Sequence, residues 1–285
     1  MDNAVQCLRE SAAGSTAFGE FRKSYNGCPI CGHSITTFLC EANCQGHPLW
    51  RPPLPTSMKW NTCNQCGHIF TEGFFTENAL NYLFSQANEG QIAGGDLDSQ
   101  RMLWSPVVER VVRALPDQSR NSEGAPCLWL DVGCGSGGLL FTAEEYGFAA
   151  IGIDARIQAV RAVKSLGYRA IASDFLSYSG EPNVRVISMA DVLEHMPYPV
   201  GALRHAHDLL HAGGVLFVSC PNIETSSWRL MSAKGINPYW AEIEHYHNFS
   251  RTGLVWLLRQ CGFTPVDYSV SVRYKACMQI IALKS

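Results

Sequence analysis

The chain contains no apolar run of membrane-spanning length, which argues against a transmembrane helix. Residues 1–24 are rich in Ala, Gly and Ser but lack the apolar core of a signal peptide, so a flexible N-terminal segment and a cytoplasmic, reducing setting are expected. Excess positive charge is missing too. The 22 Lys and Arg against 25 Asp and Glu leave a net charge of −3, so there is no basic footprint for nucleic acid. There are no long blocks of like charge and no repeats apart from two short cysteine knuckles. The length of 285 residues suits one large domain with a well-filled core plus a small one. Glycine (25) and cysteine (12) are plentiful, and both concentrate where chemistry is expected.

The glycines gather after an apolar run. Leu128-Trp-Leu-Asp131-Val is followed by Gly133, Gly135, Gly137 and Gly138 and then a new apolar segment, the pattern of a buried strand, a tight loop and a helix start. The free N–H groups of such a helix receive a carboxylate or phosphate. Gly133-x-Gly135-x-x-Gly138 also satisfies the dinucleotide fingerprint, with Asp154 about 20 residues on as its ribose acid. Asp131 decides between the two cofactors. A carboxylate ahead of the loop repels a pyrophosphate, whereas it attracts the ammonium and sulfonium of S-adenosylmethionine. Further strands are expected at 149–154, 168–174, 184–191 and 213–219, with a closing hairpin of 264–271 and 275–283. Gln100 to Leu115 carries apolar residues at helical spacing, and Ser250 is placed to cap a helix over 251–261.

Asp131-Val-Gly133-Cys-Gly135-Ser-Gly137 resembles the first motif of class I S-adenosylmethionine-dependent methyltransferases. Asp191-Val-Leu-Glu194-His195-Met-Pro197 is similar to the run after the fourth strand in small-molecule methyltransferases of the ubiquinone-biosynthesis type. The resemblance implies an α/β fold, a Rossmann-like seven-stranded sheet with helices on both faces. It also implies cofactor contacts from Asp131, Gly133, Gly135, Gly137, Asp154, Asp174, Phe175 and Asp191. Asp154 would take the ribose, and Asp174 and Phe175 the adenine. Cys134, inside the loop, reads as a small side chain that fits, with no base beside it.

The second signal lies upstream. Cys28-Pro-Ile-Cys31-Gly-His and Cys63-Asn-Gln-Cys66-Gly-His are near-copies, and two Cys-x-x-Cys turns bring four thiolates to one tetrahedral zinc. Four protein ligands leave no open position, so the zinc is structural. Cys40, Cys44 and His47 complicate the set, because Cys28, Cys31, Cys40 and Cys44 form a conceivable alternative quartet that would orphan Cys63 and Cys66. A ribbon ahead of a methyltransferase domain resembles enzymes of bacterial glycan and natural-product clusters. The expected layout is therefore a flexible segment (1–24), a zinc ribbon (25–75), a helical lid and linker (76–124) and a methyltransferase domain (125–285).

Imidazole titrates near neutrality and suits proton removal from a hydroxyl. His195, after the fourth strand, is the first candidate base. His245 and His247, in Glu244-His-Tyr-His-Asn-Phe249, are the others. Glu194 reads as a capping or pairing residue. His205, His207 and His211 read as solvated on a helix, and Asn222 and Trp228 as pocket-lining. The expected reaction is O-methylation of a small molecule, a sugar or secondary metabolite, with S-adenosylhomocysteine as product. An RNA or protein acceptor gripped by the ribbon, or a non-catalytic binding module, are the alternatives. No membrane partner is expected.

Overall fold

The computed structural model describes residues 21–85, 93, 96–116, 127–180, 184–274 and 276–285. Residues 1–20, most of the loop expected at Asn88–Asp98 and most of the Pro116–Pro126 linker lie outside the described residues. Among the described residues, no helix is long and apolar enough to cross a membrane.

The chain begins with β1 (Arg22–Ser24), β2 (Thr36–Asn43), β3 (Ser57–Cys63), β4 (Ile69–Thr71) and β5 (Gly73–Phe75). Residues 22–24 are thus strand and not tail: β1 pairs antiparallel with β5, and Phe21 and Arg22 are buried. Helices Glu77–Phe84 and Leu97–Ala114 follow, the first capped by the Thr76 side chain. The remaining strands are β6 (Leu128–Val132), β7 (Ala149–Asp154), β8 (Ala170–Ala172), β9 (Val184–Ala190), β10 (Leu210–Pro221), β11 (His247–Asn248), β12 (Phe263–Val270) and β13 (Cys277–Lys284).

Seven of these form one sheet in the order β12-β13-β10-β9-β6-β7-β8. The strands from β10 to β8 run parallel, and the β12–β13 hairpin adds the antiparallel edge. Alternation along each strand feeds two cores. Leu130 and Val132 of β6, with Leu216 and Val218 of β10, pack with the helices Pro199–Leu209 and Arg251–Gln260. Trp129, Val215 and Phe217 point the other way, onto the helices Leu97–Ala114 and Gly138–Glu145. The expected helix over 100–115 therefore exists and covers this face. The chain leaves β6 on one side toward β7 and β8, then returns to pair β9 on its other side. The crevice at the ends of β6 and β9 is the place where such sheets bind ligands.

The N-terminal strands make a second sheet of order β11-β4-β3-β2. Its fourth member, β11, comes from far down the chain, so the ribbon is completed by a strand of the methyltransferase segment. Trp60, Met58, Phe75 and Leu83 share their core with Ile243 and Tyr246 from that same stretch.

Three buried groups tie the core to the crevice. Trp129 Nε1 donates to Ser188 Oγ (2.8 Å), and Ser188 Oγ donates to Asp131 Oδ1 (2.5 Å). Trp129→Phe would leave the buried serine one donor short. Denaturant unfolding should then show a loss of about 1–3 kcal/mol, and a loss below about 0.5 kcal/mol would mean the network adds nothing to stability.

Candidate functional site

An open cavity of about 710 Å³ lies at the ends of β6, β7 and β9. It is lined by Asp131, the 133–136 loop, Asp154, Asp174, Phe175, Asp191 and His195, and on the far side by Tyr239, Glu244, His245 and Arg273. Gly137 lies beside the lining, starting the helix Gly138–Glu145 at φ +87° with no side-chain cap. The first amide groups of that helix are therefore without a side-chain acceptor. Gly133 sits at φ +68°, and a Cβ there would press on Val192 at 2.5 Å, so only glycine fits. Cys134 is buried against Gly152 and functions as packing, in line with its sequence reading.

The acids differ in their surroundings. Asp131 is 3 % exposed, and burial pushes its carboxyl up to about 7 although the Ser188 hydroxyl opposes this. Asp154, also buried, accepts from Gly135 N (3.0 Å), Arg156 N (2.9 Å) and Arg156 Nη2 (2.9 Å). Asp174 is exposed and caps the short turn Phe175–Ser177 by accepting from Leu176 N (2.6 Å). Asp191 holds φ +55°, accepts from Ser219 Oγ (2.6 Å) and pairs with Arg273 Nη1 (3.1 Å). Phe175, which lines the cavity, is otherwise buried.

The histidines separate. His195 and His245 meet edge to face with centroids 4.6 Å apart, both on the cavity wall. His195 Nδ1 lies 3.1 Å from the Glu244 carbonyl, which can only accept, so this nitrogen carries the ring hydrogen. Burial, reinforced by His195, drives the His245 imidazole well below its usual range and keeps it neutral. His247 does not line the cavity. It is fully buried between His68 Nε2 (3.0 Å) and the Met196 carbonyl (2.9 Å), so both ring nitrogens are engaged. His205 is half-buried and bonds the Tyr178 carbonyl at 2.9 Å, rather than standing in solvent. His207 packs on Phe263, and His211 lies in β10 beside Arg185. Asn222 is a buried turn anchor outside the cavity, and Trp228 reaches it only by stacking behind Tyr239.

Glu194 departs from its sequence reading. It is 1 % exposed, its carboxylate bonds its own N–H, it makes no ion pair among the described residues, and its Oε2 is unpartnered, as is His245 Nδ1. Burial, with Asp191 and Glu244 nearby, raises its carboxyl well above the usual range. Its sequence signal was its place beside His195 in the run after the fourth strand. Arg156 and Arg273 carried no motif, whereas Tyr239 opens the aromatic, His-rich stretch Tyr239–Ser250, whose resemblance marks it as a wall of the substrate pocket.

The knuckles place four thiols within 4.8 Å of one another: Cys28, Cys31, Cys63 and Cys66. Cys28–Cys66 and Cys31–Cys63 approach to 3.6 and 3.5 Å. The two turns repeat each other, with Gly32 N and Gly67 N bonding the Cys28 and Cys63 carbonyls at 2.8 and 3.0 Å. At Cys63, burial is outweighed by N–H groups and the neighbouring thiols, which bring it down to about 7. This donor set is compatible with zinc. Cys40 and Cys44 lie elsewhere, Cys44 inside the ribbon core, and His47 pairs with Glu242 at 2.8 Å.

A glycine loop and acids at successive strand ends of a seven-stranded, mostly parallel sheet define a Rossmann-like methyltransferase domain. A family model described as a methyltransferase domain matches residues 101–268, and the chain belongs to this family. The ubiquinone biosynthesis O-methyltransferase of Ruegeria pomeroyi is 32% identical over 151 residues, 48% of this chain and 60% of that protein. Its counterpart in Idiomarina loihiensis is 31% identical over 109 residues, 35% of this chain and 45% of that protein. The chain thus spans roughly half the length of these relatives. A Burkholderia thailandensis structure, 1,6-didemethyltoxoflavin-N1-methyltransferase with bound S-adenosylhomocysteine, shares the fold. Its identity is 20% and its TM-score 0.50, covering 70% of this chain and 86% of that one.

Cys63→Ser removes one of four thiolates. Elemental analysis of the purified variant should show zinc falling well below one equivalent, and wild-type content would reject this quartet.

Proposed function

We propose that this chain transfers the methyl group of S-adenosylmethionine to a hydroxyl of a small molecule, a sugar or secondary metabolite, with His195 as base. The observation that carries this reading is the His195–His245 pair on the wall of the same cavity whose other wall is the glycine loop. The O-methyltransferases among the relatives support a hydroxyl acceptor. Net negative charge favours it over an RNA acceptor.

When bound, S-adenosylmethionine supplies a methyl carbon already made electrophilic by its sulfonium. Alignment and proton removal are then left to the protein. Asp131 would hold the ammonium end, and the amides of the glycine loop would take the carboxylate. Asp154 would take the ribose hydroxyls in competition with the Arg156 guanidinium bonded to it. Asp174 and Phe175 would border the adenine, and Asp191 would contact the amino-acid end. His195 keeps its hydrogen on Nδ1, held by the Glu244 carbonyl, so Nε2 has the free lone pair. That lone pair is free to take the proton of an acceptor hydroxyl, and the methyl group would be supplied by the bound cofactor. Neutral His245 orients the acceptor. His247, with both nitrogens engaged, leaves the list of bases.

A second reading rests on Glu194 Oε2 and His245 Nδ1, buried without partners. Ligand atoms of Glu194, His195 and His245 lie within 4.8 Å of one another, a carboxylate and two imidazoles suited to a divalent cation. Two metal equivalents per chain would favour this reading, and one favours the histidine base.

Two measurements test the main reading. Burial pushes the Asp131 carboxyl up to about 7, and an ammonium held beside it favours the carboxylate form. Binding below pH 7 must therefore expel a proton, so affinity for S-adenosylhomocysteine should fall as pH drops below about 7 and level off above it. Calorimetry in two buffers reads both the affinity and the released proton, and a pH-independent affinity between about 6 and 8 rejects the assignment. Separately, His195→Ala should lower turnover by about 10²–10⁴-fold with S-adenosylhomocysteine affinity retained, measured as labelled methyl transfer to catechol and sugar-nucleotide acceptors. Undiminished turnover removes His195 from the mechanism.

A further inference from the structure

The ribbon reaches the reactive wall of the cavity through a directed set of contacts. His68 follows the second knuckle, its carbonyl accepting from Cys63 N at 2.9 Å. Its Nε2 lies 3.0 Å from His247 Nδ1, and His247 Nε2 lies 2.9 Å from the Met196 carbonyl. A carbonyl can only accept, so His247 must carry its hydrogen on Nε2 and donate there. Its Nδ1 is then an acceptor, which obliges His68 to donate from Nε2. Both tautomers are fixed by one backbone carbonyl, and that carbonyl belongs to the residue after His195.

Three further bonds fasten the same turn to the ribbon, one directly and two in series through Tyr246. Tyr25 Oη donates to the Pro197 carbonyl at 3.0 Å. Thr71 N donates to the Tyr246 carbonyl (3.0 Å), and Tyr246 N donates to the Glu194 carbonyl (2.8 Å). The turn Glu194–Pro197 is therefore held from the ribbon side at the carbonyls of Glu194, Met196 and Pro197. The cofactor end is held differently. Gly133 N bonds the Ile153 carbonyl at 2.7 Å, and Asp131 bonds Ser188 within the sheet.

We propose that His68 and His247 are positioning residues through which the metal-bound knuckle sets the place of Glu194 and His195, so that metal occupancy governs the acceptor side of the cavity and leaves the cofactor side unchanged. This rests on the reading of that wall as the acceptor site. The contact chain itself is independent of which reaction occurs, and its test needs no acceptor.

Hydrogen exchange by mass spectrometry on the full chain, zinc-replete and after chelation, reads the two ends separately. Loss of metal should speed exchange of peptides spanning 192–198 and 243–249 by about tenfold or more, the effect expected for losing a hydrogen bond of ordinary net strength. Peptides spanning 128–136 and 150–155 should change by less than about twofold, and S-adenosylhomocysteine affinity by less than about threefold, on the same tenfold-per-1.4 kcal/mol scale. His68→Leu should reproduce the local opening with zinc still bound. His68→Gln, whose side-chain amide can donate where the ring nitrogen does, should restore protection. Unchanged exchange at 192–198 after chelation, or in zinc-loaded His68→Leu, overturns the proposal. So does an equal rise at both ends, which would make the metal a requirement for folding of the whole chain. The chelation arm stands even if a variant fails to fold. A catalytically silent His195→Ala alongside a positive exchange result would discard the assigned base and keep the positioning role.

Discussion

The reversal of chain direction at β6 is the constraint on which the site depends. Residues 128–132 lie between β7 on one side and β9 on the other, so the parallel connections leave toward β7 on one side and toward β10 on the other. The glycine loop must turn away without a connection crossing above it, so the crevice stays open. The same strand delivers Asp131 to the crevice while Trp129, two residues earlier on the same face, packs in the core beneath the helix Leu97–Ala114 and reaches Ser188. Core and site are therefore coupled by strand register, and a slip of one residue would exchange Asp131 for an apolar neighbour.

The second organising element is the stretch from Trp240 to Phe249, which serves two bodies at once. Ile243 and Tyr246 fill the ribbon core, Trp60 Nε1 bonds the Trp240 carbonyl at 2.8 Å, and β11 completes the ribbon sheet. Glu242, Glu244, His245 and Tyr246 line the cavity. His245 and His247 part where strand pairing begins: His245 precedes β11 and faces the cavity, whereas His247 pairs with Phe70 in β11 and is buried at the junction with the ribbon.

The sheet was legible because its strands are apolar runs ending in acids and glycines, a pattern that survives without tertiary context. The boundaries of β6 and β7 and the Ser250 cap followed directly from the residues. The cysteine quartet was legible for the same reason, since two turns of identical spacing carry their geometry locally. What sequence could not give is set by partners distant in the chain. Glu194 read as an ordinary capping acid because nothing nearby announces that Tyr246 and His245 will enclose it. The His-x-His run offered two equivalent histidines until β11 assigned them opposite roles. Residues 22–24 read as tail because their partner, β5, lies some fifty positions away.

Charge explains why the cavity suits the cofactor its loop resembles. Asp131, Asp154, Asp191, Glu194 and Glu244 all border it, whereas the arginines lining it, Arg156 and Arg273, are paired to Asp154 and Asp191. Burial raises Asp131 and Glu194 toward their neutral forms, so the cavity limits its own charge by holding protons. A ligand carrying fixed positive charge gains from such a site twice. It meets carboxylates, and it allows them to ionise where water alone does not reach. A pyrophosphate would face the same acids with the opposite sign and only two cations already engaged. The glycine loop is common to both ligand classes, and the acids around it decide between them.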